Sequence, residues 1–404
     1  RVEVSPRARA DRMRFLHTAD WHLGRLFHQV HLTDDQRHVL RQLVEVACDA
    51  RVDAVVVAGD VYDRAVPPPE AVRLLDDVLA ELLLGLKVQV IVAAGNHDGP
   101  ERLAFGARVV SAQGLHLFGL PAPHAAPVIL TDQHGPVSFY VAPYAEPALV
   151  RERLAQPGAA DHDSAMGAVI SSMLTAHPPS GRAVFVGHAF VQGGTGSDSE
   201  RPLSVGGAGT VSASHFAPFC YAALGHLHRP QTMAEGRIRY AGALLKYSFD
   251  EVGQDRSVSI VDIDAAGRCS VEAVVLRPRR ELRRIEGTLE ELLNGGGYPA
   301  PGSGSPVPSR DDYIVARLTD PRPVLDPIGR LRRIYPNVLC IERALASLQP
   351  GELQPSRDRR QLDHDQLFAG FFSEMTGQPP TAEEQDVFVT VAAAIAGRDR
   401  EVPA

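Results

Sequence analysis

The chain has 404 residues, enough for two to three domains at roughly 150 residues each. Hydrophobic residues make up 44% of it and charged residues 22%, which excludes a largely disordered chain. The formal net charge is −8, and no apolar run reaches the length of about 18 residues that predicts a transmembrane helix, so no membrane partner is expected.

The net charge is unevenly distributed along the chain. Residues 1–276 carry −6, residues 277–360 carry +4 and residues 361–404 carry −6. A basic segment between two acidic ones is compatible with a polyanionic partner that one part of the surface holds.

The cysteines and the N-terminal residues indicate in which cellular compartment the protein is expected. The 4 Cys lie far apart without a C-x-x-C pair, which argues against a disulfide framework or a zinc knuckle and predicts a reducing, cytoplasmic location. Residues 1–12 lack the apolar centre of a signal peptide and are predicted to be a disordered extension or the product of an upstream start.

The first part of the chain alternates between strand and helix patterns. Thr33 and Gln36 have the spacing of a capping box, with Thr33 as N-cap of a helix. A Pro run at 67–69 opens the next helix, because proline lacks the N–H that the first helical turn does not use. Strands are predicted at residues 14–18, 54–58 and 88–93.

Later segments complete this domain and add two smaller modules. Strands within 115–145, a helix at 165–175 and strands at 183–186, 221–224, 237–241 and 257–263 would finish the first domain near residue 276. A helix at 286–293, strands at 313–318 and 338–341 and a helix at 327–334 predict a small α+β module that includes a flexible loop at 295–309. A linker and two amphipathic helices, at 363–375 and 381–396, follow, the second helix capped by Thr381.

Five short polar motifs stand out, each directly after a predicted strand. Loops that follow parallel strands meet at one edge of an α/β sheet, where such folds place their sites. A lone motif of this kind is weak evidence, whereas the ordered set of five predicts a shared centre. The motifs are Asp20-x-His22, Gly59-Asp60, Gly95-Asn96-His97-Asp98, Gly187-His188 and Gly225-His226-x-His228.

The side chains of these motifs have the chemistry of metal ligands. With His97 and Asp98 left aside, they offer two carboxylates, one amide oxygen and four imidazoles, which suit two divalent cations with one carboxylate between them. Glycines beside the ligands permit the backbone turns that bring the side chains together.

On these motifs the sequence resembles the calcineurin-like metallophosphoesterases. The local sequence is similar to the bacterial branch of SbcD-type exonuclease subunits. The resemblance covers residues 13–276 strongly and the remainder only by the order and size of its modules. The matching text is Leu16-His17-Thr18-Ala19-Asp20-Trp21-His22-Leu23-Gly24, Val57-Ala58-Gly59-Asp60-Val61-Tyr62-Asp63, Asp198-Ser199-Glu200-Arg201, Ser204-Val205-Gly206-Gly207, Gly225-His226-Leu227-His228-Arg229-Pro230-Gln231 and Tyr247-Ser248-Phe249-Asp250-Glu251.

The resemblance implies a role for each motif residue. Asp60 would bridge two metal ions, Mn²⁺ in this family, and His97 would be the catalytic histidine that is not a ligand. One metal would be completed by Asp20, His22 and His228, and the other by Asn96, His188 and His226.

Two positions depart from relatives of this family. The turn at 241–244 reads Ala-Gly-Ala-Leu where a small residue followed by Gly-Ser-Pro is usual, which puts local substrate contacts in doubt. Asp63 stands where archaeal relatives carry a histidine, and it is expected to support a ligand rather than to be one.

Two arginine clusters and the C-terminal helices suggest partners. Arginines in the basic segment could hold the phosphates of DNA without reading its sequence, although a solvated basic face is an alternative interpretation. The C-terminal helices could pack on their own core; the resemblance implies docking to a coiled-coil ATPase subunit of the SbcC type in a heterotetramer, and a homodimer through the nuclease domain. The candidate DNA-binding residues are Arg279, Arg280, Arg283, Arg284, Arg332 and Arg333.

The resulting expectation is an α/β protein whose metallophosphoesterase β-sandwich is flanked by helices. Its predicted parts are an extension (1–12), a nuclease domain (13–276), a DNA-capping α+β domain (277–348), a linker (349–362) and partner-binding C-terminal helices (363–404). The leading hypothesis is a 3′–5′ double-strand exonuclease that also acts as an endonuclease on single strands and hairpins, in DNA repair, replication and recombination. A small-molecule phosphodiesterase and a non-catalytic scaffold are the alternatives.

Overall fold

The computed structural model describes residues 12–179, 181–201, 203, 209–296, 309–343, 364–376 and 378–398. The predicted linker at 349–362, most of the predicted loop at 295–309, residues 1–11 and the stretch 204–207 lie outside these ranges. The chain divides into two compact units, Arg1–Arg280 and Glu281–Ala404.

The first unit contains sixteen strands within its described residues. In chain order they are β1 (Met13–Thr18), β2 (Leu26–Phe27), β3 (Val30–His31), β4 (Ala54–Ala58), β5 (Gln89–Ala93), β6 (Leu115–Phe118), β7 (Val128–Asp132), β8 (Gly135–Ala142), β9 (Ala183–His188), β10 (Phe190–Val191), β11 (Thr210–Val211), β12 (Tyr221–Gly225), β13 (Gln231–Met233), β14 (Ile238–Tyr240), β15 (Arg256–Ile263) and β16 (Cys269–Leu276).

Helices connect these strands. They are α1 (Thr33–Asp49), α2 (Pro69–Ala80), α3 (Pro100–Leu103), α4 (Ala107–Val110), α5 (Pro147–Arg153) and α6 (His162–Ala176).

Two six-stranded sheets form a sandwich. The first has the order β16-β15-β1-β4-β5-β6, in which β1, β4, β5 and β6 run parallel. The second has the order β13-β14-β12-β9-β8-β7, in which β14, β12, β9 and β8 run parallel. Parallel strands buried on both faces require continuous apolar runs, and Ala54–Ala58 and Ala183–His188 are buried along their whole length.

The core lies between the sheets. Phe15 of β1 packs edge-on against Phe139 of β8 and Tyr221 of β12, with ring centroids 5.4 and 5.7 Å apart. On the outer face of the second sheet, α6 buries Val169, Ile170 and Met173. The predicted α/β sandwich flanked by helices is confirmed.

The second unit contains a small α+β module. Its strands β17 (Leu282–Gly287), β18 (Tyr313–Leu318) and β19 (Val338–Arg343) form a parallel sheet, covered by α7 (Leu289–Leu293) and α8 (Pro327–Leu331). The prediction of a helix from residue 286 is wrong for its first part. Residues 286–287 end β17, and Thr288 caps α7 in a capping box with Glu291.

Two helices follow in the same unit. They are α9 (His364–Thr376) and α10 (Ala382–Arg398), close to the predicted bounds. Phe368 stacks on Phe388 with centroids 4.1 Å apart, so the two helices pack on each other through aromatic rings. Thr381 caps α10 as expected, because Glu384 N–H donates to its hydroxyl at 3.4 Å.

Candidate metal centre

The five motifs converge at one edge of the sandwich. Each lies at the carboxyl end of a parallel strand: β1, β4 and β5 in the first sheet, and β9 and β12 in the second. Two hydrogen bonds join the sheets here. His188 Nδ1 lies 3.0 Å from the carbonyl of Ala58, and His226 N–H donates to Asp20 Oδ1 at 2.9 Å.

The backbone at this edge is unusual, because several non-glycine residues have positive φ. The values are 53° at Asp20, 46° at His22, 50° at Asp60 and 104° at His226. Such conformations persist where surrounding contacts enforce them, and they cluster at functional sites. Asp20 N–H donates to Gly59 O and His22 N–H to Asp60 O, each at 3.0 Å, so the first two motifs hold each other.

Gln36 clamps the loop that carries Asp20 and His22. Its side-chain amide donates to the carbonyls of Trp21 and His22 at 3.1 and 2.7 Å, and its oxygen accepts from Gly24 N–H at 3.1 Å. The predicted Thr33–Gln36 capping box is therefore wrong, since Gln36 is fully buried in tertiary contacts and α1 has no side-chain cap. Burial of the residue three positions after Thr33 could not be read from the local spacing.

The first group of predicted ligands surrounds His22. His22 Nε2 lies 3.0 Å from His228 Nε2 and 3.7 Å from Asp60 Oδ2. Asp20, His22 and His228 each place a ligand atom within 4.8 Å of the others. All four side chains are buried.

The second group surrounds Asn96. Its side-chain oxygen lies 2.9 Å from His188 Nε2 and 3.4 Å from His226 Nδ1. His188 Nε2 is also 3.5 Å from Asp60 Oδ2, the same oxygen that faces His22. Asp60 therefore lies between the two groups, where a bridging carboxylate would have to be.

The donor set fits divalent cations. Asp20 Oδ2 is buried and has no hydrogen-bond partner, and the Nε2 atoms of His22 and His228 face each other at 3.0 Å. Buried polar atoms without partners are costly unless a cation takes their lone pairs. Nitrogen and carboxylate oxygen ligands in this mixture suit metals such as Mn²⁺ and Zn²⁺.

The electrostatics agree with that donor set. Burial lowers the pKa of His22 and His226 well below the ordinary value and lowers the pKa of His188 to about 4. These imidazoles are therefore neutral at pH 7, the form that binds metals. Burial and the neighbouring Asp60 carboxylate raise the pKa of Asp20, so the site without a cation resists carrying both negative charges.

His97 lies beside this centre with one ring nitrogen turned away. Its backbone N–H donates to Asp60 Oδ1 at 2.8 Å, and its Nδ1 lies 2.8 Å from the carbonyl of Asp63, which can only accept. Nδ1 therefore carries the hydrogen, and Nε2 is left on the side of Asp60, 3.9 Å from Oδ2. Burial is the main cause that lowers the pKa of His97.

Asp63 reaches the same loop through its carboxylate. Oδ1 accepts from Arg25 Nη1 at 2.9 Å and lies 3.6 Å from His22 Nδ1. The Asp63 carboxylate therefore lies beside His22, and its supporting role stays a prediction.

Asp98 was part of a predicted motif but was assigned no role. Its carboxylate accepts from the backbone N–H groups of Val61, Tyr62 and Gly95 at 3.2, 2.9 and 2.9 Å. It thereby joins the Asp60 loop to the Asn96 loop. The sequence held a signal for this role, because an acidic residue directly after Asn96-His97 cannot belong to the apolar core and must have polar partners.

Glycines allow the loops to approach this closely. A Cβ on Gly59 would lie 2.3 Å from His188 Nδ1, and one on Gly95 would lie 2.1 Å from Asp60 Oδ1. Any side chain at these positions would displace a predicted ligand.

The candidate DNA-binding arginines lie away from these motifs in sequence, and most have partners. Arg279 and Arg280 lie 3.8 and 3.2 Å from Asp34 and Asp35. In the second unit Arg283 pairs with Asp312, Arg284 lies 3.4 Å from Glu342, and Arg332 donates to the carbonyl of Val338. Arg333 is exposed.

The cysteines and the helices agree with the expectations for disulfides and membrane spans. The four cysteines are free thiols. Among the described residues, no helix combines the length and the apolar character needed to cross a membrane.

Two family matches cover separate parts of the chain. Residues 13–140 match the calcineurin-like phosphoesterase family. Residues 278–376 match the family SbcD_C, described as the type 5 capsule protein repressor C-terminal domain. Among solved structures, TT1561 of Thermus thermophilus aligns with 66% of this chain and 100% of its own, at 13% identity and a TM-score of 0.38.

Curated relatives match over nearly the full length. The SbcD subunit of the SbcCD nuclease of Staphylococcus epidermidis is 30% identical over 374 residues, which are 93% of this chain and 96% of the relative. The SbcD subunit of Staphylococcus saprophyticus is 30% identical over 372 residues, which are 92% and 96% of the two chains. The chain therefore belongs to the SbcD family of calcineurin-like phosphoesterases, the nuclease subunits of SbcCD.

Proposed function

We propose that this chain is the nuclease subunit of an SbcCD-type complex and hydrolyses DNA phosphodiester bonds at its candidate metal centre. The observation that carries the proposal is the convergence of seven potential ligands, Asp60 and six around it, with His97 beside them. Membership in a family whose curated members are named nuclease subunits supports the same activity.

The ligands would divide between two ions that share Asp60. One ion would be held by Asp20, His22 and His228, and the other by Asn96, His188 and His226. When bound, two divalent cations, which we propose to be Mn²⁺, would lower the pKa of a water nucleophile and offset the charge that develops on phosphorus.

His97 would act on the substrate rather than on a metal. Its Nδ1–H is committed to the carbonyl of Asp63, so the Nε2 side faces the position that a scissile phosphate would take next to Asp60. A histidine placed this way can stabilise the transition state or protonate the leaving sugar oxygen. Asp63 and Gln36 would keep His22 and its loop in place.

The modules after the nuclease domain would provide partners. We propose a nuclease domain over 13–276, a DNA-capping domain over 277–348, a linker over 349–362 and docking helices over 363–404. Phe371, Val387 and Val391 are exposed on α9 and α10, at 63%, 63% and 52%, and would suit a hydrophobic groove on a coiled-coil ATPase subunit of the SbcC type. A heterotetramer with a nuclease-domain homodimer is the assembly proposed, in the cytoplasm.

The DNA substrates are part of the same proposal. We expect 3′–5′ exonuclease activity on duplex ends and endonuclease activity on single strands and hairpins. Because most of the candidate arginines already have carboxylate or carbonyl partners, Arg333 is the best candidate among them for a phosphate contact.

The test compares wild type with His97→Ser on duplexes labelled at the 5′ or the 3′ end, in Mn²⁺, in Mg²⁺ and in a chelator. Wild type should cleave with Mn²⁺ and release nucleotides from 3′ ends, whereas the variant should bind metal without cleaving. Equal activity of both proteins would contradict the role of His97. Hydrolysis of cyclic nucleotides much faster than DNA would favour the small-molecule phosphodiesterase instead.

A further inference from the structure

Both ring nitrogens of His228 have defined neighbours. Nε2 faces His22 in the candidate metal centre, while Nδ1 lies 2.5 Å from the hydroxyl of Ser199 on the opposite side of the ring. His228 and Ser199 are both buried, so water does not compete for these contacts. Which nitrogen carries the hydrogen decides whether Nε2 can give its lone pair to a metal.

Glu251 decides the direction of the hydrogen bond between Ser199 and His228. The Ser199 hydroxyl lies 2.7 Å from Glu251 Oε1, and a carboxylate can only accept. Ser199 has one hydroxyl hydrogen and donates it to Glu251, so its oxygen accepts from His228. Nδ1 of His228 is therefore the protonated nitrogen, and Nε2 is the one with a free lone pair.

Glu251 is itself rigidly held. It is 0% exposed, its Oε2 accepts from Tyr247 N–H at 2.7 Å, and Arg256 Nη2 lies 2.5 Å from the same oxygen. Arg256 also donates to the carbonyl of His228. The ion pair thus compensates the buried carboxylate and attaches it to the loop that carries His228.

Glu251 Oε1 itself lies 3.6 Å from His228 Nδ1, whereas the contacts of Ser197 and Glu200 are with other atoms of the cluster. The hydroxyl of Ser197 lies 2.7 Å from Glu251 Oε1 and 2.9 Å from Glu200 Oε2, and Glu200 Oε1 accepts from His228 N–H at 2.7 Å. Ser197 and Ser199 therefore share one carboxylate oxygen, but only Ser199 is hydrogen-bonded to the ring of His228. Their hydroxyl oxygens lie 2.8 Å apart, so an alanine substitution at Ser197 is a matched control for the same substitution at Ser199.

We propose that Ser199 and Glu251 are positioning residues that hold His228 as the Nδ1–H tautomer, with Nε2 ready for a divalent cation. Carboxylates that orient metal-bound histidines tune affinity by about 10- to 100-fold, and here a hydroxyl is interposed between the carboxylate and the ring. The proposal rests on the proposed function, because it takes His228 to be a ligand. It gives a role to the Asp198–Arg201 and Tyr247–Glu251 motifs, which the proposed reaction leaves unused.

The first test reads the tautomer directly in the metal-free full-length chain. Histidine ring nitrogens are labelled with ¹⁵N, and the His228 signals are assigned by their loss in His228→Gln. Wild type and Ser197→Ala should show His228 as Nδ1–H, whereas Ser199→Ala should lose this preference. An Nε2–H tautomer in wild type would overturn the proposal, whether or not the protein is a nuclease.

The second test measures Mn²⁺ binding by titration calorimetry. Ser199→Ala should weaken one of two ions by about 10- to 100-fold, while Ser197→Ala should bind both as wild type does. Ser199→Thr keeps a hydroxyl and should restore the affinity. Equal affinities in the two alanine variants would overturn the positioning role, whereas failure of wild type to bind Mn²⁺ would instead refute the proposed metal centre.

Discussion

His188 and His228 belong to the two different groups of predicted ligands and are held in different ways. His188 ends strand β9, pairs with Gly225 in the sheet, and has its Nδ1 3.0 Å from a main-chain carbonyl, that of Ala58. His228 lies three residues beyond the end of β12 and is held by the side chains of Ser199 and, through it, Glu251.

The difference follows from where each residue lies relative to its strand. The pleat of a strand fixes the direction of its side chains, so a main-chain acceptor from a neighbouring strand end is enough to orient His188. A loop residue has no such constraint and needs side-chain contacts. The His228 side should therefore be the more sensitive to side-chain substitutions outside the ligand set, and the His188 side the more sensitive to changes in backbone packing.

Removing the shared carboxylate should have the largest effect, because Asp60 contacts both sides. Asp60 Oδ2 lies 3.5 Å from His188 Nε2 and 3.7 Å from His22 Nε2. Asp60→Asn should abolish high-affinity binding of both Mn²⁺ ions and lower DNA cleavage about a thousandfold or more, since metals supply several kcal/mol of transition-state stabilisation. Calorimetry and end-labelled duplex cleavage measure these effects, with the exposed Asp49→Asn as control. Retention of two ions would show that the sides do not share Asp60.

Replacing His97 should reduce catalysis while leaving both sides of the centre intact. General acid–base groups contribute about 10²- to 10⁴-fold, so His97→Ser should lose cleavage in that range. Its Mn²⁺ stoichiometry should stay at the wild-type value, because the two predicted ligand groups do not need its ring. Loss of an ion in this variant would make His97 a ligand, which its contact with Asp60 and His22 permits geometrically.

Alanine substitutions at two glycines distinguish steric contact with His188 from the strain of a left-handed backbone. Gly59 and Gly253 have similar φ values of 94° and 85°, but a Cβ would lie 2.3 Å from His188 Nδ1 at Gly59 and would meet no atom within 4 Å at Gly253. Both alanine variants should lose about 1–2 kcal/mol of unfolding free energy to the left-handed backbone. Only Gly59→Ala should also weaken one Mn²⁺ ion, by about tenfold or more. Equal Mn²⁺ binding in the two variants would contradict the packing argument.

The smallest effect on the metal centre is expected from a buried histidine that links the two sheets. His17 on β1 is hydrogen-bonded to the Tyr221 hydroxyl and the Leu224 carbonyl of β12, at 3.0 and 3.2 Å, and burial lowers the pKa of His17 to about 3. The unfolded pKa is about 6.5, so unfolding takes up a proton between these values. The stabilisation by neutral His17 is complete above pH 6.5 and is lost as pH falls towards 3.

His17→Gln should remove this contribution to the pH dependence. One such histidine makes the unfolding free energy fall by about 2 kcal/mol between pH 7 and pH 5, and the variant should lack that part of the fall. Urea unfolding in a chelator at both pH values measures it. His116→Gln is the comparison: burial also lowers the pKa of His116, which is only half-buried and pairs with Gln89, so its effect should have the same sign and be smaller. If the unfolding free energy of the variant fell between pH 7 and pH 5 as much as that of wild type, the pKa of His17 would not be lowered in the folded protein.

The sequence was informative where local chemistry and strand periodicity coincide. The buried runs Ala54–Ala58 and Tyr313–Leu318 were predicted at their observed bounds, because β-branched residues between turn signals leave few alternatives. The predicted ligands could be proposed because each lies at or just beyond the carboxyl end of such a strand. Their convergence depends on parallel pairing, which the alternation of strands and helices predicts.

Features that depend on distant contacts were not predictable. The spacing predicts Gln36 as part of a helix cap, but its side chain donates a hydrogen bond to the carbonyl of His22, 14 residues away in the sequence. Ser199 and Glu251 are 52 residues apart, and no spacing rule connects them to His228. The short hairpin β2–β3, α5 and β16 were missed because two-residue strands and mixed polar stretches give no clear period.

Anomalous diffraction from crystals grown with Mn²⁺ tests the two-sided centre most directly. We expect two ions in the wild-type chain that share Asp60, one near Asp20, His22 and His228, the other near Asn96, His188 and His226. In Ser199→Ala the ion on the His228 side should lose occupancy while the ion on the His188 side remains. A single ion in wild type, or two ions of undiminished occupancy in the variant at limiting Mn²⁺, would contradict it.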